Sequence, residues 1–151
     1  ANVAVKTHGT YRMVHIPDGL SQSALHLMLD ADEQARENVA LAQKAQIVLF
    51  GIGRADTMAK RRGLTTVETH ALKELMACGE SLGCYCSLDG HVVHVTSNAG
   101  ISLKDIKKHP HVIAVAGGTS KAEAILAVMR ACRTGILVTD EGAAEQILKM
   151  I

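Results

Sequence analysis

Val112-Ile-Ala-Val-Ala-Gly-Gly-Thr-Ser-Lys-Ala-Glu-Ala-Ile-Leu126 is the stretch whose reading decides the fold. Val112 to Val115 are an unbroken apolar run, the mark of a strand covered on both faces. Gly117 and Gly118 follow at once. Thr119 or Ser120 can cap a helix, Lys121 falls in its first turn, and Ala122, Ile125, Leu126 and Met129 repeat at helical spacing. A strand, a glycine turn and a helix start together make a place for an anion. The first N–H groups of a helix have no partner within it, and the helix dipole favours negative charge there. Lys121 adds a mobile positive charge. An ordinary strand-to-helix turn with a surface lysine reads the same way, so the stretch suggests a phosphate-bearing ligand without naming one.

Working outward, the same alternation recurs. Apolar runs predict strands near residues 12–16, 46–50, 112–116 and 136–139, and helical spacing lies between them. Asn2 to Gly9 reads as the tail of a helix, and Pro17, Asp18 and Gly19 break the strand at 12–16. Ser21 caps a helix carrying Leu25 and Leu29, and Asp30 to Lys44 forms a second, with Val39, Leu41 and Ala42 on its apolar face. Asp56 to Arg62 is a short helix or loop. Thr66 to Cys78 is helical through Val67, Leu72, Leu75 and Met76, with Gly79 and Gly83 bracketing a turn after it. Cys84 to Leu88 and His91 to Val95 flank Asp89-Gly90, a strong hairpin signal. Ser102 to Lys108 is one or two helical turns, and Asp140 caps a closing helix through Leu148. The class is α/β: a three-layer, Rossmann-like sandwich with a mainly parallel sheet and a small antiparallel hairpin. Ligands of such sheets sit beyond the carboxyl ends of the strands. Gly51-Ile-Gly53 and Gly117-Gly118 mark two such ends.

Composition narrows the partners. The chain has 151 residues, 48% hydrophobic, which suffices for one domain with a real core. Sixteen basic and fifteen acidic side chains leave a net charge of +1, which argues against a broad non-specific nucleic-acid surface. The aromatics are Tyr11, Tyr85 and Phe50, too few for stacking platforms. No segment has the length of a membrane span and no signal peptide is present, so the cytoplasm is the expected location. Cys78, Cys84, Cys86 and Cys132 lack the paired spacing of a zinc site and read as reduced, buried thiols. Cys84 and Cys86 share one face of a strand. His91 and His94 are three apart on a strand and face opposite sides, and His109 and His111 straddle a proline. No metal is expected.

Several residues carry candidate chemistry. Gly117, Gly118, Thr119, Ser120 and Lys121 form the candidate anion site, with the amides of Gly118 to Lys121 facing the ligand. Lys60, Arg61 and Arg62 are a basic triplet, and guanidinium groups match phosphate in bidentate fashion. Gly51-Ile-Gly53 lacks the third glycine of a dinucleotide motif, so a nicotinamide cofactor is not expected. Glu80, placed in the turn between Gly79 and Ser81, can accept polyol hydroxyls. Glu141 is the other acidic candidate near a loop end, although Asp140-Glu141 also suits a helix N-terminus.

Together these residues resemble a known family. Gly51-Ile-Gly53, Ala114-Val-Ala-Gly-Gly118, Ser120-Lys-Ala-Glu-Ala124 and Leu137-Val-Thr-Asp-Glu-Gly-Ala-Ala144 look like the effector-binding domain of SorC-type bacterial transcriptional regulators. Met58-Ala-Lys-Arg-Arg62, Asp89-Gly90 and His15-Ile-Pro-Asp18 fit the subgroup that governs glycolytic genes. The resemblance implies the fold of sugar-phosphate isomerases and deaminases, and a phosphorylated sugar as ligand, fructose 1,6-bisphosphate in that subgroup. It places ligand contacts at Arg61, Glu80 and Lys121, with Gly51, Gly53, Gly117, Gly118 and Ser120 lining the site, no catalytic residue and no cofactor. It implies a homodimer or homotetramer that represses transcription by contacting operator DNA through an N-terminal segment. Residues 1–151 are then the C-terminal part of the effector domain, a truncated piece in which the DNA-binding segment, the first strand and its threonine-bearing phosphate loop are absent. The alternative from another class is a sugar-phosphate isomerase or deaminase. Such an enzyme needs a positioned acid and base, and no histidine partners Glu80 or Glu141 convincingly.

Overall fold

A computed structural model describes residues 2–17, 20–133 and 135–151. The decisive stretch gives the expected strand, turn and helix, but Val115 is exposed on one face of the strand, and Lys121 rather than Thr119 or Ser120 holds the N-cap position, with no side-chain cap. His111–Val115 is a strand, Thr119–Lys121 a 3-10 turn, and Ala122–Cys132 a helix. In chain order the helices are α1 (Asn2–Lys6), α2 (Gln22–Ala31), α3 (Glu33–Gln43), α4 (Ala55–Arg61), α5 (Thr66–Glu74), α6 (Ala122–Cys132) and α7 (Glu141–Leu148). The strands are β1 (Ile47–Gly51), β2 (Gly53–Arg54), β3 (Ala77–Ser81), β4 (Cys84–Ser87), β5 (Val92–Val95), β6 (His111–Val115) and β7 (Ile136–Val138).

Two sheets form. β1, β6 and β7 pair in parallel in that order, with Leu49 beside Ile113 and Ile113 beside Ile136. β2, β3, β4 and β5 form an antiparallel sheet. The expected hairpin is therefore one edge of a four-stranded sheet. A second hairpin joins β3 to β4 through Leu82-Gly83, both at positive φ (50° and 78°), the backbone of a tight two-residue turn.

α6 is buried nearly all round, and the reason is its position between the two sheets. Ala124 and Val128 meet β3 at Gly79, where a Cβ would stand 2.6 Å from the Ala124 carbonyl oxygen. The same core takes in Val48 and Phe50 of β1, Val112 and Ala114 of β6, and Cys84 and Cys86 of β4. The far side of the antiparallel sheet presents Tyr85 to Ala55 and Ala59 of α4 and Leu72 of α5. The outer face of the parallel sheet is different. Ile47, Leu49, Val115, Ile136 and Val138 stand on it and are all exposed.

The caps explain several boundaries. Ser21, Asp32 and Asp140 accept the N–H groups of Ala24, Ala35 and Ala143, and Thr65 and Glu68 form a capping box on α5. Asp32 divides α2 from α3, which confines the second helix to 33–43. Only Val39 of its expected apolar trio is buried, and Leu41 is exposed.

Two expectations need correction. Arg12–Ile16 forms no strand among the described residues. Without a neighbouring ladder it is held by side chains instead: Asn38 donates to the Met13 carbonyl (3.1 Å) and Arg12 to Asn38. Asp18 and Gly19, in the expected break and in the His15–Asp18 motif, lie outside the described residues. The helix expected over 66–78 ends at Glu74. Met76 adopts positive φ (53°) and turns the chain, so 77–81 enters the sheet as β3 between β2 and β4. Gly79 and Glu80 therefore stand in a strand, not in a turn.

Candidate functional site

The carboxyl ends of β1, β6 and β7 lie side by side, as parallel pairing requires: Gly51 faces Val115, and Val115 faces Val138. Two residues beyond Gly51 the chain enters the other sheet, where Gly53 pairs with Glu80 and Arg54 with Gly79. Gly51-Ile-Gly53 is thus the bridge between the sheets. Ser81 fastens it by donating its hydroxyl to the Gly51 carbonyl at 2.9 Å. Gly53 is closely covered, since a Cβ there would meet Met58 of α4 at 2.4 Å.

Glu80 is buried, 2% exposed. Its Oε1 accepts from the Arg62 guanidinium (3.0 Å) and from the backbone N–H of Gly83 (2.8 Å). The Gly83 contact follows from the tight turn after β3, which folds that amide back toward the strand. Arg62 follows from helix phase. Met58 packs over Gly53, residues four apart share a helix face, and Gly53 is the strand partner of Glu80. Arg61, one residue earlier, is exposed at the end of α4. The basic triplet by itself does not distinguish the two arginines, and the family resemblance points to Arg61. The signal for Arg62 was the four-residue interval to Met58, legible only once Gly53 is known to pair with Glu80.

The glycine turn after β6 differs in detail from a free anion cradle. Gly118 sits at positive φ (99°), and its N–H donates to Asp140, the same carboxylate that caps α7. A Cβ on Gly117 would collide with that carboxylate. Of the amides from Gly118 to Lys121, two are therefore already occupied, that of Gly118 by Asp140 and that of Lys121 by the Gly118 carbonyl. The Thr119 and Ser120 amides remain, in an exposed position. Lys121 reaches across instead: its Nζ lies 3.4 Å from the Ile52 carbonyl.

Contacts thus bring Gly51, Gly53, Glu80 and Lys121 to one place, the bridge between the sheets. Gly117, Gly118 and Ser120 belong to the adjoining turn, and Arg61 touches neither group among the described residues. Two cavities divide the surroundings. One, of about 430 Å³, is lined by Gly51, Met58, Arg62, Glu80, Leu82 and Asn98, among others. The other, of about 530 Å³, has Ser120 on its wall with Arg54, Cys78, Glu123 and Lys149. Arg54 binds Asp56 through two N–H groups (3.1 and 2.7 Å), which holds the Asp56 carboxyl below its ordinary range. Burial and neighbouring thiols push Cys86 up to about 12 and Cys132 up to about 11, so both are neutral, inert core side chains. Among the described residues no cluster of His, Cys, Asp and Glu could hold a metal ion.

Comparison with known proteins agrees with this architecture. Residues 1–149 match the Sugar-bind family of sugar-binding domains. The chain belongs to that family, the sugar-binding domain of SorC-type transcriptional regulators. It is 40% identical over 149 residues to the central glycolytic genes regulator of Bacillus subtilis, covering 99% of this chain and 44% of that protein. The chain therefore spans less than half the length of this curated relative. The crystal structure of a SorC family transcriptional regulator from Enterococcus faecalis superimposes with a TM-score of 0.86 at 38% identity, over 96% of this chain and 59% of that one. The full-length sorbitol operon regulator SorC from Klebsiella pneumoniae, 16% identical, shares the fold with a TM-score of 0.81 over 96% of this chain and 49% of that one. This SorC-type sugar-binding domain has no helix long and apolar enough to cross a membrane among its described residues.

Proposed function

We propose that this chain is the effector-sensing part of a bacterial regulator of glycolytic genes, and that a phosphorylated sugar, fructose 1,6-bisphosphate, binds at the bridge between the sheets. One observation carries the reading. Lys121 Nζ reaches the Ile52 carbonyl, and the next residue, Gly53, is the strand partner of Glu80, whose buried carboxylate accepts from Arg62. A cation beside a carboxylate suits a ligand with an anionic end and a neutral, hydroxyl-bearing middle. Lys121 and the Thr119 and Ser120 amides take the phosphate end, Arg61 approaches from the rim, and Glu80 accepts sugar hydroxyls. Gly51 and Gly118, with no close protein neighbour, let the backbone approach the ligand, while Gly53 and Gly117 make room for Met58 and Asp140 beside it.

In this reading the domain is not an enzyme. It acts in the cytoplasm within a homodimer or homotetramer, and sugar binding modulates the affinity of the regulator, a repressor, for operator DNA. Operator contacts and a second phosphate pole come from polypeptide outside these 151 residues, consistent with the greater length of the relatives.

Calorimetric titration with fructose 1,6-bisphosphate, fructose 6-phosphate and inorganic phosphate tests the assignment. Sugar phosphates should bind more tightly than phosphate. Lys121→Ala and Arg61→Ala should each weaken binding roughly ten- to a hundredfold, the loss of one charge-assisted hydrogen bond, without unfolding the chain. Unchanged affinity in both variants refutes the assigned phosphate end. Turnover of fructose 6-phosphate, followed by NMR, would replace the sensor with an isomerase or deaminase.

A further inference from the structure

We infer that Arg62 is the residue that holds Glu80 ready for the sugar, a positioning role separate from the phosphate contact assigned to its neighbour Arg61; this rests on the sugar-phosphate reading above. Glu80 is almost fully buried, where a carboxyl group requires hydrogen-bond partners. Arg62 and the Gly83 amide both donate to one oxygen, Oε1. The other, Oε2, has no donor among the described residues. Two donors on one oxygen fix the carboxylate plane and leave the second oxygen as an acceptor on the cavity of about 430 Å³ that both side chains line. The remaining wall is mixed, with Val14, Ile16, Val39, Met58 and Leu82 apolar and Ser97 and Asn98 polar. Such a cavity accepts the hydroxyl-bearing carbon chain of a sugar. It disfavours a phosphate group, because Glu80 is among its lining residues and the Arg62 guanidinium is engaged with that carboxylate.

The two adjacent arginines therefore divide the labour. Arg61 lies exposed and free to meet an anion from solvent. Arg62 lies on the helix face of Met58, its side chain only 18% exposed, and acts through Glu80.

The role predicts a selective defect. Arg62→Met should weaken fructose 6-phosphate binding on the order of tenfold or more and leave inorganic phosphate binding unchanged. Arg62→Lys, which keeps one donor and the charge, should recover part of the loss. In a Glu80→Gln background, Arg62→Met should cost less than about twofold, because the group it positions has already been altered. Titration of the full chain with both probes, with melting temperature as a check on folding, reads all of this. If Arg62→Met does not fold, Arg62→Lys and Glu80→Gln carry the comparison: both should lower the sugar-phosphate affinity and spare the phosphate affinity. Equal loss toward both probes would make Arg62 a phosphate contact and overturn the role, as would a full penalty in the Glu80→Gln background. A wild-type chain that binds phosphate but no sugar phosphate overturns the underlying functional reading, and this role with it.

Discussion

Gly79 shows how one residue sets the distance between layers. Its missing side chain lets the α6 backbone approach β3 so closely that a Cβ would lie 2.6 Å from the Ala124 oxygen and 3.1 Å from its Cα. Backbone cannot move aside as a flexible side chain can. Gly79→Ala should therefore destabilise the fold by about 1–3 kcal/mol, the usual range for overpacking, measured by urea denaturation. Gly53 offers a contrast. Its close neighbour is the Met58 side chain, which can rotate away, so Gly53→Ala should cost less. Equal costs at the two sites would contradict this distinction between backbone and side-chain neighbours. The same close packing places Arg54 beside Gly79 and Glu80 opposite Gly53, and so aims the carboxylate toward α4 rather than into the core.

Among the elements, α7 is tied most directly to the site. Asp140 caps it through Ala143 at 2.8 Å and also accepts the Gly118 N–H, so a single carboxylate joins the start of one helix to the glycine turn before another. Asp140→Ala should remove both bonds and cost about 1–2 kcal/mol by urea denaturation, the range of a strong helix cap. Asp140→Asn, whose amide oxygen can still accept, should retain most of that stability. If Asp140→Ala leaves stability intact, the linkage between α7 and the turn is not a structural one. The boundary of α5 carries a different lesson. Helical spacing continues through Leu75 and Met76, yet the helix stops at Glu74, Met76 turns the chain at positive φ, and 77–81 pairs with β2 and β4.

At the scale of the molecule, two properties distinguish the chain. Three of its four thiols, Cys84, Cys86 and Cys132, are buried, Cys78 being only partly so, and Cys86 and Cys132 are raised to about 12 and about 11 from 9.0. An unfolded chain releases these protons near its ordinary thiol value, whereas the folded chain holds them longer. Between those values the folded state binds more protons, so stability falls as pH rises. The urea midpoint should be flat just below pH 9 and decline from about pH 9 toward pH 11. A flat profile across that window would mean the thiols are not confined as described. The second property is the outer face of the parallel sheet, where Leu49 (68% exposed) and Ile136 (61%) sit in register on either side of Ile113. Contiguous apolar surface of this kind binds hydrophobic dyes and promotes association. The 151-residue chain should enhance the fluorescence of anilinonaphthalene sulfonate, and Leu49→Lys should reduce the enhancement without lowering the melting temperature. No enhancement would show that the face is covered in solution.

The sequence alone determined what depends on local pattern. Apolar runs placed β1, β6 and β7, capping chemistry placed Ser21 and Asp140, and Asp89-Gly90 placed a hairpin, because each is specified by residues within a few positions of one another. The family resemblance, carried by short motifs spread over the chain, was legible for the same reason. Tertiary structure decided the rest. Arg12–Ile16 has strand-like alternation but joins no ladder among the described residues, and a strand does not exist without one. Residues 77–81 could extend a helix or enter a sheet, and only the approach of β2 and β4 chose between them. The pairing of Arg62 with Glu80, the capture of the Gly118 amide by Asp140 and the reach of Lys121 to Ile52 join residues 18, 22 and 69 positions apart. Such distances carry no periodic signal. They are settled by where α6 comes to rest between two sheets, which is a property of the whole core and not of any segment in it.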